Sequence, residues 1–177
     1  CHFKMTNKAD IKRHFLDSLK RGTGEAYLIL KDNPTIDFSD LIIKGAIINF
    51  AYDPQSEGSR ASYIYRLIKK SKHKDKIIKA VLTKLQSEKD DYYGLDQMCD
   101  LTVKFYNAGH LESKEALYNR FEKSSLKDYE FCGQEQLMKI DEVKGVLKVA
   151  EVIGKTLFEN PDDHEDSWRI DDFQKRH

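Results

Sequence analysis

Apolar residues recur along this chain at spacings of three and four, and the pattern is clearest between Gly94 and Lys123. Leu95, Met98, Cys99, Thr102, Phe105 and Tyr106 fall at i, i+3, i+4, i+7, i+10 and i+11, one stripe on a helix that stops near Asn107-Ala108-Gly109. A second helix follows, with Ser113 as its N-cap, Glu115 at the positive end of its dipole and Ala116, Leu117 and Phe121 on its buried side. The pair makes an antiparallel hairpin. A hairpin of this kind cannot cover both apolar faces by itself and has to stack on neighbours.

The rest of the chain supplies such neighbours. Asp10 to Arg21 carries Ile11, Phe15, Leu16 and Leu19 on one side, faces Lys12, Arg13, Asp17 and Lys20 to water, and ends at Gly22. Glu25 to Lys31 reads as a short helix around Ala26, Tyr27, Leu28, Ile29 and Leu30, stopped by Asn33-Pro34; a strand competes for so short an apolar run, but no second strand-like segment exists to pair with it. Asp37 or Ser39 can cap the next helix, Leu41 to Ala51, which is apolar nearly all round and is expected to be the most buried. Ala61, Ile64, Tyr65, Leu67 and Ile68 make another stripe, and Ile77, Ile78, Val81, Leu82 and Leu85 continue after a lysine-rich joint from Ser71 to Lys76. Ser124 to Gly133 reads as a loop, with a further helix from Gln134. Val143, Val146, Leu147, Ala150, Ile153 and Leu157 predict a final long helix that ends before Asn160-Pro161.

This pattern is all-α, as a right-handed α-α superhelix of stacked helical hairpins or, alternatively, a compact helical bundle. Hairpins starting near residues 10, 39, 75 and 94 bracket the roughly 40-residue period of HEAT-type units. In this respect the chain resembles HEAT-like α-α superhelical repeat proteins, most clearly from Gly94-Leu95-Asp96 through Ala116-Leu117-Tyr118. The resemblance implies an extended binding surface and carries no catalytic residues with it.

Length and composition bound the reading further. A chain of 177 residues suits one domain, expected to run from 5 to 177. Met5-Thr6-Asn7 is a candidate true start, with Cys1 to Lys4 as a remnant, and 161–177 form an acidic linker and a capping tail. The longest apolar run, Leu41 to Ala51, is broken by Lys44 and Asn49, so no membrane span is expected; with no apolar leader near the N-terminus, the expected location is cytoplasmic. Cys1, Cys99 and Cys132 are too scattered for a disulfide framework or a zinc pattern.

No catalytic, cofactor or metal motif is present in the sequence. There is no Glu-x-x-His pair, no His-Glu-x-x-His and no P-loop; Gly22-Thr23-Gly24 lacks the lysine and spacing of a phosphate cradle. Asp162 to Asp166 around His164 lacks the alternation and glycine of a calcium loop and reads as a solvated linker. The loop from Tyr52 to Arg60 is longer than a tight turn requires, so Tyr52, Asp53, Glu57 and Arg60 are candidate recognition residues. The competing reading is a structural turn in which Asp53 or Ser56 caps the following helix and Arg60 pairs with Glu57. Trp168 can anchor a partner or dock the last helix as a cap.

Charge placement is uneven. Residues 1–89 hold 18 Lys or Arg against 10 Asp or Glu and residues 90–177 hold 12 against 20, so a neutral total hides halves of +8 and −8. The basic run from 66 to 79 makes Arg66, Lys69, Lys70 and Lys72 binding candidates, with Arg66, Lys69 and Lys70 able to cluster on one side of their helix. The leading expectation is a non-catalytic protein-protein interaction scaffold or regulatory binding protein, of which a bacterial immunity protein would be one version. Self-association through the opposed charges is a further expectation. The alternatives are a nucleic-acid binder, similar in architecture to the HEAT-like DNA glycosylases, and a small-molecule enzyme. The neutral total, the acidic second half and the lack of aromatics among the lysines weigh against nucleic acid.

Overall fold

The computed structural model describes residues 7–48, 59–87, 92–123 and 134–140, together with isolated helical positions at 146, 147, 150, 151 and 154. The fold is all-α: the described residues form eight helices and no strand. They are α1 (Lys8–Arg21), α2 (Glu25–Asp32), α3 (Ser39–Ile47), α4 (Arg60–Lys70), α5 (Lys74–Leu85), α6 (Tyr92–Asn107), α7 (Glu112–Lys123) and α8 (Gln134–Ile140).

Local chemistry sets the helix ends. α1 begins two residues before the expected Asp10, because Asn7 Oδ1 accepts the Ala9 N–H at 3.0 Å, and it ends where Gly22 turns left-handed at φ 71°. There the Gly22 and Thr23 N–H groups close back on the carbonyls of Leu19 and Ser18. α4 is capped by Ser59, whose Oγ accepts the Ser62 N–H; Asp53 and Ser56, the caps weighed from the sequence, lie outside the described residues. In α7, Ser113 is not the cap: it lies inside the helix, its N–H bonded to the His110 carbonyl and its hydroxyl buried without a hydrogen-bond partner among the described residues. The turn at Gly109, φ 98°, starts the helix earlier than the capping residue suggested.

One continuous core runs from Phe15 and Leu19 in α1, through Ile42, Ile64, Leu67, Ile77, Val81 and Leu85, to Phe105, Leu117 and Leu137. Its organising element is α6, which packs against α3, α4, α5, α7 and α8. Here the expectation that α3 is the most buried helix is corrected. α3 is apolar nearly all round but sits at the side of the core, so that Leu41, Ile43 and Ile47 are only partly covered, whereas α6 buries Leu95, Met98, Cys99, Leu101 and Phe105 along with Gln97 and Thr102. The position of Gln97 explains the contact. Its Nε2 donates to the carbonyls of Gly45, at 2.9 Å, and Ala46, so α6 supplies hydrogen bonds to the end of α3, where carbonyls have no intrahelical donor.

The expected final helix is corrected in its packing. Positions 146, 147, 150, 151 and 154 are helical, but Leu147 is 64% exposed and Ala150 is exposed as well, because the described helices do not cover that side of the stripe. Residues 49–51 of the expected third helix and the loop expected over 124–133 lie outside the described residues.

Candidate functional site

The groove that combines exposed apolar surface with a single sign of charge lies between α2 and the C-terminal half of α4. α2 is a helix of eight residues with an apolar run, Ala26 to Leu30, and only Ala26 of it is buried. A helix that short cannot turn five consecutive apolar side chains inward, and Leu28 stands 59% exposed. Tyr27, Leu28, Leu30, Lys31 and Lys70 enclose a groove of about 450 Å³. Leu30, Lys31 and Lys70 also border a second depression of about 210 Å³, floored by Ile36 and Phe38 and edged by Lys72 and His73.

Two tyrosines fix the groove wall. Tyr27 donates its hydroxyl to the Tyr63 carbonyl at 3.0 Å, and the two rings meet edge to face at 5.5 Å. Tyr63 in turn donates to the Thr23 carbonyl at 2.9 Å, tying α4 to the α1–α2 turn. Burial raises both phenol pKa values, Tyr63 the more strongly, with the nearby arginines only partly opposing it, so both hydroxyls stay protonated donors at neutral pH. The Arg66 guanidinium lies 5.7 Å from the centre of the Tyr27 ring, which sets a cation beside this wall of the groove. No carboxylate is among the described residues that line either depression.

The residues picked from the sequence divide accordingly. Arg66, Lys70 and Lys72 are all exposed: Lys70 lines both depressions, Lys72 the smaller one, and Arg66 lies against the Tyr27 ring. Lys69 does not join them: its ammonium lies 5.7 Å over the Tyr65 ring, which packs toward Phe105 of α6, so the expected cluster of Arg66, Lys69 and Lys70 on one side is split. Further along the run, Lys76 turns away to Ser39 Oγ at 2.9 Å and Asp40 at 3.2 Å, while His73 lies 3.7 Å from Asp37. Arg60 faces inward. It is 8% exposed, donates from Nη1 to the Lys20 carbonyl and rests 5.4 Å from the Tyr63 ring. Tyr52, Asp53, Glu57 and Trp168 lie outside the described residues.

Sequence reasoning missed Tyr27, Leu28, Leu30 and Lys31. The usable sign was the surplus of apolar residues on α2, too many for a helix of its length to bury.

A third depression, about 490 Å³, runs between α5 and the α6–α7 turn, where Asp75, Lys79, His110 and Glu112 surround Ile78 and Leu82. Both signs of charge alternate there, and His110 is taken up by Glu112 at 3.6 Å. Among the described residues no group of three or more His, Cys, Asp or Glu side chains is placed to hold a metal ion, and no described helix is long and apolar enough to cross a membrane.

Comparison with known proteins gives no family model, no curated protein and no solved structure that matches the chain.

Proposed function

We propose that this protein is a non-catalytic protein-binding module of HEAT-like helical architecture, and that the α2–α4 groove receives an acidic segment of a partner protein anchored by an apolar side chain. The observation that carries the reading is Leu28, an exposed leucine at the mouth of a groove rimmed by Lys31, Lys70 and Arg66. An apolar anchor surrounded by charges of one sign is the usual arrangement where burial supplies affinity and electrostatics selects the partner. Nucleic acid is the weaker reading, because Arg66 already covers the Tyr27 ring and Lys69 the Tyr65 ring, which leaves neither free to stack a base. The reading keeps the cytoplasmic setting expected from the sequence.

Affinity capture with the full chain tests it when three baits are compared: the unaltered protein, Leu28→Asp, and Leu111→Asp as a control at an exposed leucine outside the groove. A partner held by the first and third and lost from the second supports the reading. A capture set indifferent to Leu28→Asp, or turnover in a hydrolase or nucleotide screen, overturns it.

A further inference from the structure

Leu30, Lys31 and Lys70 line both depressions beside α2, so the groove at Leu28 adjoins the smaller one. That depression gathers cations from three places in the chain: Lys31 in the last turn of α2, Lys70 at the end of α4, and Lys72 with His73 in the joint before α5. Lys31, Lys70 and Lys72 have no ion-pair partner among the described residues. The first two sit where a helix dipole favours positive charge, but Lys72 and His73 precede the N-terminus of α5, where it favours negative charge. The joint thus carries positive charge that the helices themselves do not call for. Ser71 lies among these cations at 7% exposure. Its Oγ accepts the His73 N–H at 3.1 Å, and its hydroxyl proton has no acceptor among the described residues. Asp37 reaches His73 at 3.7 Å, but it accepts the Ser39 N–H at 2.8 Å, stands 3.9 Å from Lys76 and is not among the lining residues.

We propose that the smaller depression seats a phosphate monoester, the phosphorylated serine or threonine side chain of the same acidic segment whose apolar anchor meets Leu28. The proposal rests on the reading of the groove as a docking surface and adds the chemistry of its occupant. Charge selects phosphate over carboxylate: a carboxylate brings one negative charge to three lysines and a histidine, whereas a phosphate monoester brings about −1.5 to −2 and three acceptor oxygens. A phosphodiester has no more charge than a carboxylate. Size agrees, since about 210 Å³ is below the roughly 300–1,000 Å³ of sites for drug-sized ligands yet holds one tetrahedral group and its stem. Lysines meet phosphate as point charges, and the Ser71 hydroxyl adds a directed donor at the buried end. The shared wall of Leu30, Lys31 and Lys70 ties the phosphate to the groove, so a segment anchored at Leu28 carries its own phosphate into reach.

The test is fluorescence anisotropy of the full chain with labelled peptides of glutamates around one leucine and one phosphoserine, set at varied separations, and with their serine counterparts. Phosphorylation of the best-bound peptide should tighten Kd by about tenfold or more. Lys72→Gln, at an exposed position that lines only the smaller depression, and Ser71→Ala should each cut that ratio while leaving the serine peptide nearly unaffected. Leu28→Asp should weaken both peptides and keep their ratio, Leu111→Asp should change neither, and circular dichroism checks that each variant is folded. A ratio near one overturns the proposal; if the serine peptide still binds and is lost with Leu28→Asp, the reading of the groove stands without it. A ratio that survives both Lys72→Gln and Ser71→Ala, or a phosphopeptide indifferent to Leu28→Asp, also overturns it. Inorganic phosphate that displaces the phosphopeptide at a concentration near the peptide's own Kd overturns it by making the ligand free phosphate. Binding of neither peptide overturns it too, and the three-bait capture then decides the groove by itself.

Discussion

Gly94 of α6 lies against the main chain of Ile47 at the end of α3, so close that a Cβ at position 94 would stand 1.8 Å from the Ile47 carbonyl oxygen. Alanine is normally the better helix residue by about 1 kcal/mol. Here the sign reverses, since the obstacle is backbone and cannot turn aside. Gly94→Ala is expected to destabilise by about 1–3 kcal/mol or more in urea unfolding; a neutral or stabilising result would show that α3 and α6 are not held at this distance.

The same junction depends on Gln97. Replacing it by Leu keeps its bulk but withdraws the donor from the Gly45 and Ala46 carbonyls. A loss of about 1–3 kcal/mol is expected, the cost of leaving buried acceptors without a partner. Calorimetry that finds Gln97→Leu as stable as the unaltered chain would remove this capping role.

Core substitutions should grade with burial. Leu82 is almost wholly buried, and Leu82→Ala is expected to cost about 2–5 kcal/mol. Ile47 is only partly covered, so Ile47→Ala should cost clearly less. Equal losses at the two positions would contradict the sideways placement of α3.

Stability should fall at both ends of the pH scale, for separate reasons. The Glu25 carboxylate accepts from His14 and Ser18, chiefly the former, and its pKa is held below 4.5. That contribution is present above the unfolded-state value and is lost as pH drops through the lower folded value, so Glu25→Gln should flatten the acid limb. Tyr63 behaves oppositely: burial raises its pKa above 10.0, so its contribution is complete below that value and is lost as pH rises through the higher folded value. Tyr63→Phe should flatten the alkaline limb, read from the urea midpoint at each pH.

The basic run provides a direct check against nucleic acid. Lys69, Lys70 and Lys72 are all exposed, so changing the three to Glu should alter stability by no more than about 0.5 kcal/mol. Filter binding is expected to show no complex with duplex DNA tighter than micromolar at physiological salt, with or without the change. A tight complex falling with salt at a slope near −0.9 per phosphate and lost in the triple variant would establish the opposite.

Where periodicity alone decides, the fold was legible: Ile77, Ile78, Val81, Leu82 and Leu85 are all buried, as are Leu95, Met98, Cys99, Thr102 and Phe105. What escaped depends on partners distant in the chain. Gln97 looks like a solvent position in its own helix, and only the arrival of the end of α3, some 50 residues earlier, makes it interior. The groove is likewise a product of α2 meeting α4, and nothing local to Lys70 announces Tyr27 or Lys31. Arg60 turns inward for a related reason, since one of its acceptors is the carbonyl of Lys20 in α1.

Tyr63 ties together parts of the molecule that are far apart in sequence. Its carbonyl receives the Tyr27 hydroxyl and its own hydroxyl reaches the Thr23 carbonyl, so both ends of one residue hold the first two helices. The α1–α2 hairpin is thus fastened to α4 at its bend and along its second helix by one side chain and one carbonyl, beside the Arg60 bond to Lys20 and the core packing of Phe15 and Leu19. A substitution at position 63 therefore acts on two seams of the molecule at once, although it lies in neither of the helices it secures.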